Sequence, residues 1–373
     1  MKKYLSCLLS VVLLTACEEE LAIIDLNEEK QLSVNALIDV SQPVHRIYCD
    51  YVVGGKATPV SDAEVELSVN GQWVESLTPC DTLPGVYLST CTLHSGDTVR
   101  LRVSTPTQYD EAWAEAIVPA PILVTEASAD IEYQSFFQSE SLPYYRSALS
   151  LQKQSSSDTY GRLLAGVRVT NVYGWVEMDF SNGEILSEQP DSLTCDSLYE
   201  VRVLDDLCLT QGKGYVENPE NDMLGYNVVW QNHYHLFSDR YFEDNAYRMH
   251  YYTSRQSVSN LKFSLLDNDS HTIYNRNHPL YGCRYKVLKS SADGRFKTIL
   301  YGKRCDVALF YQLYSIEASE YYYLQTLSSE MDLADTNMAY AKPRFLPQNV
   351  HHAFGFFAIE NCTRGWITGC GEE

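Results

Sequence analysis

Positive charge is scarce in this sequence. Its 373 residues hold 28 Lys and Arg against 49 Asp and Glu, a formal net charge of −21. So acidic a chain repels phosphates and anionic membrane surfaces, which excludes nucleic-acid binding. Also missing is any apolar run of the roughly 20 residues that a membrane-spanning helix needs. No GxGxxG, phosphate loop, HExxH or GxSxG occurs. The common nucleotide, zinc-protease and hydrolase signatures therefore fail, and an enzyme reading has no anchor. CxxC is absent too, as are repeats and low-complexity tracts. Tyrosine, by contrast, is abundant: 28 residues, in a chain that is 12% aromatic. Aromatics at that level set it apart from disordered acidic chains, and its length provides material for two domains with real cores.

The N-terminus reads as an export signal. Lys2 and Lys3 precede an apolar run from Tyr4 to Leu14, and the small pair Thr15 and Ala16 stands before Cys17. Residues 1–16 thus carry the basic start, apolar middle and cleavage site of a secretory signal peptide. Leu14-Thr15-Ala16-Cys17 is similar to the lipobox of bacterial lipoproteins, in which the cysteine thiol takes diacylglycerol. Cys17 is the expected lipidation site. One acyl chain holds only marginally, at about 0.8 kcal/mol per buried methylene, whereas two or three palmitate-like chains anchor firmly. Residues 17–30 form an acidic tether. Within it, Glu18, Glu19 and Glu20 resemble the surface-export signal of Bacteroidota lipoproteins, which favours the outward face of the outer membrane over the periplasm.

Export would place the mature cysteines in an oxidising compartment, where disulfides persist. Proximity in sequence suggests Cys80 with Cys91, Cys195 with Cys208, Cys283 with Cys305, and Cys362 with Cys370, while spacing alone leaves other connectivities open. Each pair would staple a hairpin or a short excursion, worth roughly 3 kcal/mol in the chain-entropy model. Cys49 is left over and reads as a small buried hydrophobe. None of the spacings suits thiolate zinc, and no cofactor or metal is expected.

Between residues 31 and 118 apolar residues alternate with period two: Leu32, Val34, Ala36, Ile38; Val65, Leu67, Val69; Val99, Leu101, Val103. This pattern marks half-buried antiparallel strands. Asn70-Gly71 signals a two-residue hairpin, because a type I′ turn needs positive φ at both central positions. We expect an immunoglobulin-like β-sandwich over 31–120, closed by the stiff junction Val118-Pro119-Ala120-Pro121. The remainder, 121–373, reads as a larger antiparallel β-rich domain. Its expected strands are Ser147–Gln152, Leu163–Val172, Val201–Leu204, Tyr247–Tyr252, Lys262–Leu266 and Val307–Tyr314. A single helix is expected near the C-terminal end, at about Ile316–Leu333, where Tyr321, Leu324, Leu327 and Met331 fall at helical spacing. Ala353 to Ile359 reads as a final buried strand. The fold class is therefore mainly β.

Several segments, taken in order, resemble a Bacteroidota lipoprotein family, domain of unknown function 4249. They are Leu32–Ile38, Pro59–Leu67, Pro84-Gly85-Val86-Tyr87, Gly96–Leu101, Ile117-Val118-Pro119, Leu236–Arg240, Ile316–Leu327 and Ala353–Phe357. Each piece is weakly specific; their order along nearly the whole mature chain is the stronger signal. Val350-His351-His352 departs from the family's glycine-rich approach to the last strand, and Cys362 to Cys370 departs from its usual ending. The resemblance implies a non-enzymatic surface lipoprotein acting beside a TonB-dependent outer-membrane β-barrel transporter. It brings no catalytic residues.

Among the remaining features, the tyrosine clusters are the best binding candidates: Tyr144-Tyr145, Tyr251-Tyr252 and Tyr321-Tyr322-Tyr323, with Trp175, Trp230 and Trp366. Flat aromatic faces stack on sugars or line peptide interfaces, though β-rich proteins also place Tyr on half-exposed strands for packing alone. Tyr321, Tyr322 and Trp230 are singled out. His233-Tyr234-His235 near Asp239 would put two imidazoles on one face of a strand, but a third ligand is undefined and surface decoration is the better reading. Asp267-Asn268-Asp269-Ser270 lacks the glycine and bidentate glutamate of a calcium loop. Asp205 and Asp206 read as solvated acids. Asp81-Thr82-Leu83, Asp97-Thr98-Val99, Asp191-Ser192-Leu193 and Asp196-Ser197-Leu198 resemble the Bacteroidota O-glycosylation acceptor pattern, the last two in a stretch read as a loop.

Overall fold

The computed structural model describes residues 30–367, except 55, 107–109, 136–140, 200, 202–203, 213–231, 256–262, 264, 267–269 and 336–345. The expected signal peptide, Cys17, Glu18 to Glu20, Trp230, Cys370 and the core of the 267–270 acidic run therefore lie outside the described residues. Among the described residues no helix is long and apolar enough to cross a membrane.

Among the described residues the first part has nine strands: β1 (Gln31–Asp39), β2 (His45–Val53), β3 (Lys56–Pro59), β4 (Glu64–Val69), β5 (Gln72–Ser76), β6 (Thr78–Pro79), β7 (Val86–Ser89), β8 (Thr98–Ser104) and β9 (Ala112–Ile117). One sheet has the order β5-β4-β8-β9, and β1-β2-β7-β6 belongs to a second, larger sheet. The period-two alternation does the work expected of it. Leu32, Val34, Ala36 and Ile38 point inward to meet Val65, Leu67, Val99, Leu101 and Val103 in one core. Cys49 on β2 lies in that core, and burial pushes its thiol up to about 12. Asn70 and Gly71 both have positive φ, +53° and +77°, as the type I′ turn requires.

The second part adds β10 (Ile122–Gln134), β11 (Leu142–Lys153), β12 (Tyr160–Asp179), β13 (Glu184–Tyr199), α1 (Leu207–Thr210), β14 (Leu236–Ser238), a 3-10 turn at Asp239–Tyr241, β15 (Ala246–Ser254), β16 (His271–Thr272), β17 (Arg284–Ser290), β18 (Phe296–Ile316), α2 (Ala318–Asp335) and β19 (Phe357–Ile367). A sheet of order β10-β11-β15 packs on the long β13-β12-β18-β19 run. Leu149, Leu151, Leu163, Val167, Met249 and Leu313 fill the space between them. β19 links the two parts. Its first residues pair in parallel with β1, Ala36 opposite Phe357, and its last ones pair antiparallel with β18, Leu309 opposite Ile367. Phe357 and Ile359 thereby enter the core of the first part. Gly355 leads into this strand at φ +119°, and a Cβ there would stand 1.9 Å from the Val34 carbonyl oxygen.

Several expectations are corrected. Val201 and Leu204 are buried in the second core without forming a strand, and neither Phe263 nor Leu266 is in one. The final strand begins at Phe357, not Ala353. The 191–198 stretch is strand β13, with Leu193 opposite Val172 and Leu198 opposite Val167, rather than a loop. Besides the expected helix there is α1, a short turn capped by Asp206.

Cys80 and Cys91 are free thiols. Pairing of β6 with β7 sets Pro79 opposite Tyr87, and the Cys80 amide donates to the Val86 carbonyl. The Cys91 amide instead reaches the Glu75 carboxylate. With Cys80 thus opposite Val86, Cys91 lies five residues further on, about 16 Å along an extended chain, when a disulfide needs Cα atoms within about 7 Å. Cys208, Cys283 and Cys362 are free as well. Cys208 packs into the second core and Cys283 under the β17–β18 hairpin. Their expected partners Cys195 and Cys305 lie on β13 and β18, with side chains outside the described residues.

Candidate functional site

Helix α2 starts as soon as β18 ends, its first turn closed by the Tyr321 amide on the Glu317 carbonyl. Successive helical residues point about 100° apart, so the three consecutive tyrosines meet three surroundings. Tyr321 is buried with Leu324 against Tyr160, Leu236 and Tyr314. Tyr322 is 52% exposed. Tyr323 stacks on Phe356, ring centroids 4.3 Å apart. Tyr144, Tyr145, Tyr251 and Tyr252 are buried. Trp366 is half-exposed, far from α2 in the register, with the Arg168 guanidinium over its ring.

Tyr321 and Tyr322 border a cleft of about 440 Å³. Its other walls come from the start of β12 (Asp158, Tyr160), the residue after α1 (Gln211) and the 3-10 turn (Arg240, Tyr241). Tyr160 tilts against Tyr321 at 4.9 Å between centroids and against Tyr322 at 6.2 Å, while Tyr321 and Tyr322 meet edge to face. The Gln211 amide donates to the Tyr321 hydroxyl. Burial pushes the Tyr321 phenol up to about 12, and burial together with the Tyr322 hydroxyl raises that of Tyr160. Both phenols are therefore neutral donors at ordinary pH. Asp239, at the cleft wall, is ion-paired with Lys153.

A second cavity, about 600 Å³, adjoins the first, with Asp158 and Tyr160 lining both. The Ile117–Pro121 junction, the loop 153–159 and the end of β18 enclose it. Glu317 bridges the two parts of the molecule here, its carboxylate accepting from the Ile117 amide at 2.8 Å. Burial raises its proton affinity.

Two charged clusters lie outside the linings of both cavities. Arg162 on β12 grips Glu360 on β19 through two hydrogen bonds of 2.5 and 2.8 Å. Next to them Glu320 of α2 is fully buried, held well above the usual carboxyl range by burial and by the Glu360 carboxylate. Asp206, expected to be solvated, is instead completely buried. It caps α1 by accepting from the Cys208 and Leu209 amides, and it also accepts from the Tyr247 hydroxyl at 3.0 Å. His250 sits between Asp205 at 2.9 Å and Asp206 at 3.2 Å. Hydrogen bonds to Asp205 and then Asp206 raise it to about 9. Adjacent acids hid this arrangement, because only the fold brings β15 to the α1 cap.

His233 and His235 occupy a turn, with His235 at φ +47°. The premise of a shared strand face fails. Among the described residues no group of three or more His, Cys, Asp or Glu could hold a metal. Of the cleft residues, the sequence offered Tyr321 and Tyr322 but missed Tyr160, Gln211 and Tyr241. The polar break at Gln154 to Asp158, just before β12, was the available signal for the first.

A family model described as Domain of unknown function (DUF4249) matches residues 18–364. No curated protein matches the chain.

Proposed function

Taking as premise that the chain belongs to the DUF4249 family, a domain of unknown function, we propose that it is a non-enzymatic outer-membrane lipoprotein that captures a ligand for a TonB-dependent β-barrel transporter. The observation that carries the capture role is the convergence of Tyr160, Tyr241, Tyr321 and Tyr322 on one cleft together with amide and charged groups. Cavities of about 300–1,000 Å³ with a few convergent polar groups are the usual form of a ligand site. The lipobox at Cys17 and the acids at Glu18 to Glu20 support anchoring and outward display.

A binding role is favoured over a catalytic one by the state of the reactive groups. Both ring nitrogens of His250 are engaged by carboxylates, which leaves it no free nitrogen to act as a base. The nearby Cys208 thiol is pushed up to about 12 by burial and by Asp206, far from the thiolate form that attacks.

Affinity purification of the tagged, lipidated protein from solubilised outer membranes tests the reading. Recovery of a TonB-dependent barrel is expected, with protease shaving of intact cells removing the protein and Cys17→Ala abolishing its palmitate label. Purification without any barrel would sink the transporter partnership and favour a stand-alone surface glycan- or peptide-binding lipoprotein.

A further inference from the structure

The two cavities meet at Tyr160. A ligand that occupies the tyrosine cleft and continues into the neighbouring cavity passes this ring and Asp158, the two residues common to both linings. We propose that together they form one groove for a short, uncharged oligosaccharide, with the tyrosine cleft as its main subsite; this rests on the ligand-capture reading above.

Three observations select this chemistry. The first is the aromatic surface. Tyr322 is half-exposed and stands edge to face with Tyr321, and Tyr160 lies tilted beside it. Flat, partly wet faces of this kind match the apolar faces of sugar rings, with phenol hydroxyls at their edges for the ring substituents. Gln211, Gln325, Asp158 and Arg240 supply planar two-pronged polar groups around them, suited to neighbouring hydroxyls.

Charge balance is the second. The whole chain is strongly acidic, yet at the groove Lys153 and Arg240 offset Asp158 and Asp239, Lys153 being itself paired with Asp239, and the one further acid, Glu317, is turned to the Ile117 amide and has its proton affinity raised by burial. A site whose charges nearly cancel gives little electrostatic gain to an anionic or cationic ligand over a neutral one.

Third, the backbone is closed to an added strand. Extended peptides bind by completing a sheet edge. Here the β12 end at Tyr160 is paired on both sides, with Ile316 and with Ser238. Across β14, the Leu236 amide and carbonyl are both taken by the Asn232 side chain.

An array of neutral oligosaccharides (gluco-, xylo-, manno-, galacto- and N-acetylhexosamine series, from one unit to six) tests the proposal on the full mature chain, followed by titration calorimetry. At least one series is expected to bind with affinity that rises with chain length. Tyr322→Ala should weaken it about tenfold or more, the equivalent of one good aromatic contact, while Tyr322→Phe, which keeps the ring, holds most of it. Gln154→Ala, in the second cavity, should weaken the longest chains and leave disaccharides unchanged. Absence of binding across the array, or equal affinity for one unit and six, overturns the proposal. A peptide-library ligand whose binding is lost in Tyr322→Ala would overturn the oligosaccharide while leaving ligand capture at the cleft intact. If neither library yields a ligand sensitive to Tyr322→Ala, both fall.

Discussion

Arg162 and Glu360 form a two-pronged ion pair that joins β12 to β19, and among the described residues neither carboxyl oxygen of the adjacent, fully buried Glu320 has a hydrogen-bond partner. Only one positive charge thus faces two carboxyl groups. Burial first, and then the Glu360 carboxylate, disfavour charge on Glu320 and raise its proton affinity in the fold.

Glu320→Gln is therefore expected to stabilise the protein at neutral pH. With proton affinity raised in the folded state, the stability contributed by Glu320 is full below its ordinary value of 4.5 and declines as pH rises towards the folded value. Glutamine removes that decline and can donate to Glu360. A gain of about 1–3 kcal/mol at pH 7 and little change at pH 4 is the expected outcome in urea titrations. A loss at pH 7 would mean that the carboxyl is charged and paired in the fold.

Breaking the pair from the other side acts in the opposite direction. Arg162→Met strands the Glu360 carboxylate, whose side chain is 4% exposed, and should cost about 3 kcal/mol or more. The double substitution Arg162→Met with Glu360→Met should recover most of the loss, since it is the orphaned charge that costs. Thermal melts of the two variants decide between this and a purely packing role for the arginine stem.

Much of the first core was legible because a strand with one buried face writes itself as alternation: Leu32, Val34, Ala36 and Ile38 need no partner to be read. The parallel pairing of β1 with β19 was not legible. It joins residues more than three hundred positions apart, and nothing local in Leu32–Ile38 names its neighbour. Closeness in sequence likewise says nothing about register: Cys80 and Cys91, neighbours in the chain, stand in the structure as separate free thiols. At the cleft, Tyr321 and Tyr322 drew notice as a cluster, whereas Tyr160 and Gln211 sit singly in polar stretches and become site residues only when β12 and α1 are folded against α2.

His250 offers a second pH dependence with the opposite origin and the same sign. Its affinity for a proton is raised in the fold, to about 9 from 6.5, by Asp205 and then Asp206. The stabilisation is complete below about 6.5 and is lost as pH climbs through 9. Because the Asp205 side chain is 42% exposed, solvent screening reduces the contribution to about 1–2 kcal/mol. Asp205→Asn should flatten the fall in unfolding free energy between pH 7 and 9.5, and an NMR titration of the imidazole should move its midpoint down. An unchanged midpoint in that variant would show that Asp205 does not hold the ring.

Cysteine accessibility checks the β6–β7 register directly. The Cys80 thiol is accessible, and its hydrogen bond with Thr82, 3.4 Å away, lowers its proton affinity. Cys49 is buried with its thiol pushed up to about 12. Alkylation of the folded, unreduced protein at pH 8 is therefore expected to modify Cys80 first and to spare Cys49 until denaturant is added, with peptide masses reporting each site. Cys91, half-buried, with burial and then Glu75 raising its thiol, should react more slowly than Cys80. Recovery of a disulfide-linked peptide containing Cys80 and Cys91 would instead require β7 to slide by five residues past β6, which would carry Tyr87 away from the Val60 carbonyl that its hydroxyl now meets at 3.0 Å.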